Sequence, residues 1–307
     1  MTLRVALVGL GEIAQKAYLP VLADWEGLEL LFCSRRPSTV AALQRRYRVA
    51  KGTADLQELI DWRPQAALVL APTTAHYDIA RQLLEAEIDV YLEKPATASS
   101  AETRRLAEQA EAGQRVLMVG FNRRYAPLHR LARELWGERR ASLALFQKHR
   151  ARGFHPNLAV HYTEEMVHLV DLLRYFCGEG EAVSTHQQMD GKLVAATSTV
   201  ALQNGCQASL LASMQAGHWQ ETYALHGEGA SLYVQAFSRV VFTSGGEQRT
   251  WEESYASSWQ TTLKGRGFFD QIAHFLECVQ TRAQPRTSGW EALKTQLLLE
   301  ALIEQAG

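Results

Sequence analysis

The chain has 307 residues, 32 of them basic and 33 acidic, for a formal net charge of −1; binding nucleic acid by broad phosphate neutralisation needs a basic excess, so that class is excluded. Apolar residues make up 47% and charged residues 21%, which rules out a disordered chain. The length passes the ~250–300 residues at which one hydrophobic core stops growing, so two domains are expected.

In the first 120 residues, apolar runs at 3–8, 28–33, 66–71, 88–92 and 115–119 alternate with helical patterns near 12–23, 37–47, 74–87 and 99–112. Near-continuous apolar strands separated by helices predict an α/β domain, a doubly wound parallel sheet of Rossmann type, over 1–121. Helix starts are marked by Pro37-Ser38-Thr39 and by Ser99-Ser100-Ala101-Glu102.

The first strand runs into Gly9-Leu-Gly11-Glu-Ile-Ala14, a Gly-x-Gly-x-x-Ala turn before a helix. Gly9 allows the tight turn, Gly11 leaves the backbone open to a pyrophosphate, and Ala14 lets helix and strand pack closely. The first helical turn, with Glu12 and Ile13, then offers N–H donors and partial positive charge to the phosphates. A Gly-rich turn that binds nothing has the same letters. The second strand ends Cys33-Ser34-Arg35-Arg36, with no carboxylate to accept a ribose 2′-hydroxyl. A hydroxyl plus guanidinium groups suits a 2′-phosphate, which favours NADP, with NAD still possible. Arg35 and Arg36 can equally be solvated charges leading the next helix.

The loop Ala71-Pro72-Thr73-Thr74-Ala75-His76 follows the strand at 66–71. It reads as a cofactor contact through Pro72, Thr73 and His76, or as a helix cap made by either threonine. Glu93-Lys94-Pro95 follows the next strand, at the carboxyl end where open α/β sheets bind ligands. There Lys94 can hydrogen-bond a substrate oxygen and stabilise developing alkoxide charge; a solvated loop lysine is the plain alternative. Gly120-Phe-Asn-Arg-Arg-Tyr125 leaves the last strand of the sheet. Asn122 there is a candidate cofactor contact and Arg124 a candidate substrate contact, an ion pair being the alternative use of the arginine.

Together these motifs resemble the Gfo/Idh/MocA oxidoreductases. Gly11-Glu-Ile-Ala-Gln-Lys-Ala-Tyr-Leu-Pro20, Val119 to Pro127 and Gly267-Phe-Phe are similar to its MviM-like branch. The resemblance implies an NAD(P)-dependent dehydrogenase acting on CH–OH groups of a sugar, polyol or related small molecule. It implies a catalytic role for Lys94 and cofactor contacts that include Glu93. It also implies a second α+β domain with a large, mostly antiparallel open sheet, through which family members form dimers or tetramers. A non-catalytic, NADP-binding regulatory or redox-sensing protein on the same fold is the alternative.

The chain after Pro127 supports that second domain, placed at 122–307. A helix near 126–136 precedes a strand at 141–149, an irregular stretch with Gly153 and Pro156, and a helix near 163–177. Strand-like segments at 182–189, 193–203, 206–215, 219–227, 230–235 and 239–243 predict an antiparallel meander, with Asp190-Gly191 and Asn204-Gly205 as tight hairpins. Helices near 267–280 and 289–305 close the chain. If 163–177 is helical, Glu164, His168 and Asp171 share a face. The resemblance puts His168 at the family's general acid/base histidine and Glu164 at its aspartate, so both are candidate catalytic and substrate residues. A core histidine is the alternative for His168, a local salt bridge for Asp171. Metal ligation by Glu164 and His168 with His155 or His161 lacks any supporting spacing signature, so no metal is expected. Lys148, within Lys148-His149-Arg150-Ala-Arg152, is a candidate substrate contact or a solvated strand end.

Cys33, Cys177, Cys206 and Cys278 lie far apart with no Cys-x-x-Cys, so a reducing, cytoplasmic setting is expected. The apolar run after Arg4 ends at Glu12, too soon for a secretory leader. Residues 193–220 carry no formal charge but are rich in Gln, Asn, Ser, Thr and Gly, which reads as sheet and not as a membrane span.

Overall fold

The computed structural model describes residues 2–152, 155–253 and 260–306; Gly153, expected in the irregular stretch, lies outside the described residues. The chain folds as two compact units. The first takes the chain up to Phe121 together with Phe268–Leu293; the second takes Asn122–Gly267 together with the chain from Lys294 on. This corrects the expectation of one continuous second domain over 122–307. The physical reason is the helix Phe268–Thr281, whose stripe of Ile272, Phe275, Leu276 and Val279 is buried. Its rings meet the first unit, Phe268 lying 5.8 Å from the Tyr18 ring and Phe275 5.4 Å from that of Tyr91.

The first unit is built on six parallel strands: β1 (Leu3–Val8), β2 (Leu28–Cys33), β3 (Lys51–Thr53), β4 (Ala66–Val69), β5 (Asp89–Leu92) and β6 (Leu117–Val119). Their order is β3-β2-β1-β4-β5-β6. Every residue of β4 and β5 is buried, as strands covered on both faces must be. The chain steps outward from β1 to β3 and then restarts at β4 on the other side of β1. That reversal opens a crevice at the carboxyl ends of β1 and β4. β3 and the helix Leu56–Asp61 escape the sequence reading because Lys51-Gly-Thr53 has no apolar run; its side chains are exposed or half-buried at the sheet edge. The expected starts hold: Pro37 opens its helix, and Ser99 accepts a hydrogen bond from the Glu102 N–H at 3.3 Å.

The second unit carries eight strands: β7 (Leu143–His149), β8 (Gly180–Met189), β9 (Leu193–Leu202), β10 (Gln207–Ser213), β11 (Gln220–Gly227), β12 (Ala230–Gln235), β13 (Arg239–Ser244) and β14 (Glu247–Glu252). The order β14-β13-β12-β11-β7-β10-β9-β8 shows that the meander is not continuous. β7 inserts between β10 and β11, parallel to β10 and antiparallel to β11. β14 is a polar edge strand without the alternation a sequence pattern detects. The two-residue hairpins are those at Glu228-Gly229 and Gly245-Gly246, while Asp190-Gly191 and Asn204-Gly205 sit in three-residue loops. Along β7 and β10 alternate side chains are buried, and the helix Val167–Cys177 packs on both strands. No described helix is long and apolar enough to cross a membrane.

Candidate active site

In the first unit, parallel strand direction brings the loops after β1, β2, β4 and β5 to one edge. After β1, Gly9 has φ +91°, and a Cβ there would lie 2.5 Å from the Ala71 nitrogen. Only glycine fits that crossing of two chains. Gly11 is the opposite case: a Cβ would meet nothing within 4 Å. The space beside it is open, as a pyrophosphate approaching the backbone requires. Helical structure begins at Glu12 and includes a π-turn over Ala14–Tyr18. Ala14 is fully buried under the helix, whereas Ile13 is exposed. Glu12 is solvated and pairs with Lys16, whose hydrogen bond and charge hold its carboxyl below the usual range.

After β2, Ser34 is half-buried and Arg35 and Arg36 are exposed. Neither guanidinium has a hydrogen bond or ion pair among the described residues. The residues present therefore fit an NAD(P) phosphate chain at Gly11 and leave two cations beyond β2. After β4, Pro72 and Thr74 are exposed and Thr73 half-buried. A short 3-10 turn spans Thr73–Ala75 without a side-chain cap.

His76 is 1% exposed. Its Nε2 lies 2.8 Å from the Ala71 carbonyl, and its Nδ1 3.1 Å from the carbonyls of both Pro95 and Ala96. The ring thus ties the loop after β4 to the loop after β5. Glu93 is equally occupied. Its Oε1 accepts from the Tyr18 hydroxyl at 2.7 Å and its Oε2 from the Lys94 N–H at 2.8 Å. Burial raises the Glu93 carboxyl pKa, opposed by the Lys94 charge and the Tyr18 hydrogen bond. Tyr91 and Gln271 complete the shell around the Tyr18 hydroxyl, at 2.8 and 3.4 Å. Lys94 itself is half-buried and precedes a cis peptide bond to Pro95.

In the second unit, Asn122 donates to the Arg266 carbonyl at 2.8 Å. Arg124 makes a two-pronged contact with Asp171, Nε–Oδ2 2.9 Å and Nη2–Oδ1 2.7 Å, and Asp171 also accepts from Thr295. Arg124 and Asp171 are buried, so both serve this ion pair. The helix with the acid/base candidates runs from Leu158 to Cys177. Asn157 caps it by accepting from the Val160 N–H at 3.0 Å, and a π-turn over Tyr162–Met166 interrupts it. His168 is 8% exposed, while the Glu164 side chain is 63% exposed and lies 3.6 Å from His155.

Lys148 is not a solvated strand end. Its Nζ is buried, 2.7 Å from a Glu165 oxygen and 3.5 Å from a Glu221 oxygen. Arg123 grips Glu221 at 2.6 and 2.8 Å, and Arg150 pairs with Glu165. Burial pulls the Lys148 pKa down to about 8, and neighbouring Arg123 adds to the shift. Burial alone would raise the pKa of Glu165, but Lys148 and Arg150 hold it down to about 2. Arg123 and Lys148 likewise hold Glu221 well below the carboxylate range against its burial. Reading the sequence alone misses Glu165, Glu221 and the Tyr18–Glu93 contact. One signal pointed to Glu221: it is the first charge after 28 uncharged positions.

Comparison with known proteins fits this geometry. Residues 3–121 match GFO_IDH_MocA, the "Oxidoreductase family, NAD-binding Rossmann fold". Over 99% of its length the chain is 33% identical to the "Putative oxidoreductase YceM" of Salmonella typhimurium, covering 98% of that protein. It is 32% identical over 126 residues to a D-glucoside 3-dehydrogenase of Escherichia coli, spanning 40% of this chain and 36% of that enzyme. The crystal structure of a dehydrogenase (MviM) from Clostridium difficile superposes with a TM-score of 0.90 at 22% identity, over 100% of both chains, and so shares the fold. The chain belongs to the Gfo/Idh/MocA family of oxidoreductases.

Proposed function

We propose that this protein is an NADP(H)-dependent dehydrogenase or reductase of a sugar, polyol or related hydroxyl or carbonyl compound. The observation that carries the reading is the edge of the parallel sheet. There the open backbone at Gly11, the Arg35 and Arg36 side chains, without an ion pair among the described residues, and Lys94, anchored by buried Glu93, all follow neighbouring or near-neighbouring strands. Gly11 and the helix start would hold the pyrophosphate, and Ser34, Arg35 and Arg36 the 2′-phosphate. A bound nicotinamide supplies the hydride acceptor or donor. Lys94 donates a hydrogen bond to the reacting oxygen and stabilises alkoxide charge as it develops. His168 takes or returns the hydroxyl proton. Glu164 enters as a solvent-exposed substrate contact. His76 and Glu93 act by fixing the backbone on either side of Lys94. The four free cysteines suit a reducing cytoplasm, and the eight-stranded sheet suits a homo-oligomeric interface.

Fluorescence titration with NADPH and NADH, followed by stopped-flow oxidation with ketoses and inososes, tests the reading. We expect NADPH to bind about 10-fold or more tightly than NADH, as an added charge-assisted contact would give. Equal or tighter NADH binding defeats the NADP preference. Tight NADPH binding with no saturable turnover of any hydroxyl or carbonyl compound favours a non-catalytic cofactor-binding protein.

A further inference from the structure

The end of β7 in the second unit carries more positive charge than its own carboxylates balance. Arg150 and Arg152 line an open cavity of about 440 Å³ with His155, Glu164 and Glu165. Behind it lies the buried lattice of Arg123, Glu221, Lys148 and Glu165. Taken together, four cations (Arg123, Lys148, Arg150, Arg152) face three carboxylates (Glu164, Glu165, Glu221). Of these, Glu164 points into solvent beside His155 and Glu165 is already shared by Lys148 and Arg150. Arg152 is exposed and has no ion pair among the described residues. The His161 ring, tilted against that of His155 with centroids 4.8 Å apart, is fully buried, and neither nitrogen is hydrogen-bonded among the described residues. It is neutral, burial lowering its pKa to about 4, and so leaves the surplus in place.

We propose that the substrate carries an anionic substituent, a carboxylate or a phosphate, which Arg150 and Arg152 hold in this cavity. The inference rests on the dehydrogenase reading above and deepens it by naming the substrate class. An anion here completes the lattice: it meets two guanidinium groups whose planar donors match carboxylate and phosphate oxygens. Arg150 is well placed for this. Its N–H bonds the Ser213 carbonyl at 2.8 Å and its carbonyl accepts from Ala216 at 3.0 Å, so the backbone from which it projects is fixed.

The experiment compares matched compounds on the cofactor-loaded enzyme: D-glucose, D-glucuronate and D-glucose 6-phosphate, with the galacto series beside them. The expected kcat/KM for an acidic member exceeds that of its neutral parent by about 10- to 100-fold, the worth of a charge-assisted hydrogen bond. The uronate and phosphate arms tell the two anions apart. Arg152→Ala should remove most of that preference and Arg152→Glu should invert it, with the NADPH dissociation constant unchanged in both. Saturation-transfer NMR with glucuronate and glucose, with and without NADP+, reads binding where no compound turns over. A glucuronate signal absent for glucose, and lost in Arg152→Glu, supports the proposal. Equal or absent signals, or neutral sugars turned over as well as acids, overturn it. Failure of NADPH to bind overturns the dehydrogenase reading instead, and the NMR arm without cofactor still decides the anion site.

Discussion

His161 offers a test in which the structure fixes both sign and size. It lies in the same helix as His168, two turns earlier; its ring is fully buried, and neither nitrogen finds a partner among the described residues. A neutral imidazole carries one donor and one acceptor, so two polar atoms are desolvated without return. Replacing the ring with an apolar side chain of similar size removes that penalty. His161→Leu should therefore stabilise the protein at pH 7 by about 1–3 kcal/mol. Acid should widen the gap. The unfolded imidazole takes up a proton near ~6.5, whereas burial holds the folded one down to about 4. Between those values the unfolded chain binds more protons, so native stability falls as pH falls through that window. At pH 5 the linkage costs the wild type about 2 kcal/mol that the variant does not lose.

Calorimetric or fluorimetric melting at pH 7 and pH 5 reads the effect. For a chain of this size the difference in Tm between variant and wild type should grow by about 3 °C on acidification. His129, also buried and held down to about 4, destabilises both proteins equally and cancels in the comparison. Parallel melting curves at the two pH values would refute the reasoning, because they require a His161 that titrates alike in both states. A variant less stable than wild type at pH 7 would show that the ring's packing on His155 outweighs its stranded nitrogens.

Three further outcomes are expected. Lys94→Ala should leave the NADPH dissociation constant nearly unchanged and lower turnover about 100-fold or more, the loss of one contact to a developing oxyanion; single-turnover kinetics separates the two. Gly9→Ala and Gly11→Ala should divide stability from binding. The first forces a Cβ against the Ala71 backbone at positive φ and lowers Tm, while the second meets open space, keeps its Tm and binds NADPH about 10-fold or more weakly. Asp171→Ala leaves the Arg124 guanidinium buried without its carboxylate, and denaturant unfolding should show a loss of about 3–5 kcal/mol.

The strands β1, β2, β4, β5 and β6 and the turn after β1 were legible in the sequence because the rules that mark them are local, whereas the return of Phe268–Leu293 to the first unit was not. Gly9 and Gly11 differ in what surrounds them, yet both are demanded by one turn, and strand-then-helix alternation is readable in a window of a few residues. β3 and β14 were not legible, since an edge strand pairs through its backbone and needs no apolar run. The position of β7 between β10 and β11 was also hidden, because pairing partners 60 and more residues apart leave no local trace. Among site residues, the sequence identifies Arg124 and Lys148 as charged groups near strand and helix ends. It does not contain the facts that decide their use, Asp171 against the one and Glu165 with Glu221 against the other. From its place after the strand at 66–71, His76 reads as a cofactor contact; the sequence does not show that its ring meets three backbone carbonyls, two of them from a loop nineteen and twenty residues away.

The lattice around Lys148 also bears on how specificity can be divided in this unit. Burying Arg123, Glu221, Lys148 and Glu165 is poor value as stabilisation, since well-packed apolar side chains often do as well. What the arrangement does supply is direction. Arg123 enters from the turn after β6, Lys148 from β7, Glu221 from β11 and Glu165 from the helix, so their contacts fix four separate segments against one another. Lys148 is spent in that work: a substrate anion reaching it would have to displace Glu165 or Glu221. Arg150, which shares Glu165, and the exposed Arg152 both line the cavity. In the short run Lys148-His149-Arg150-Ala-Arg152, Lys148 is thus the anchor within β7, and the proposed anion contacts Arg150 and Arg152 lie past the strand's end.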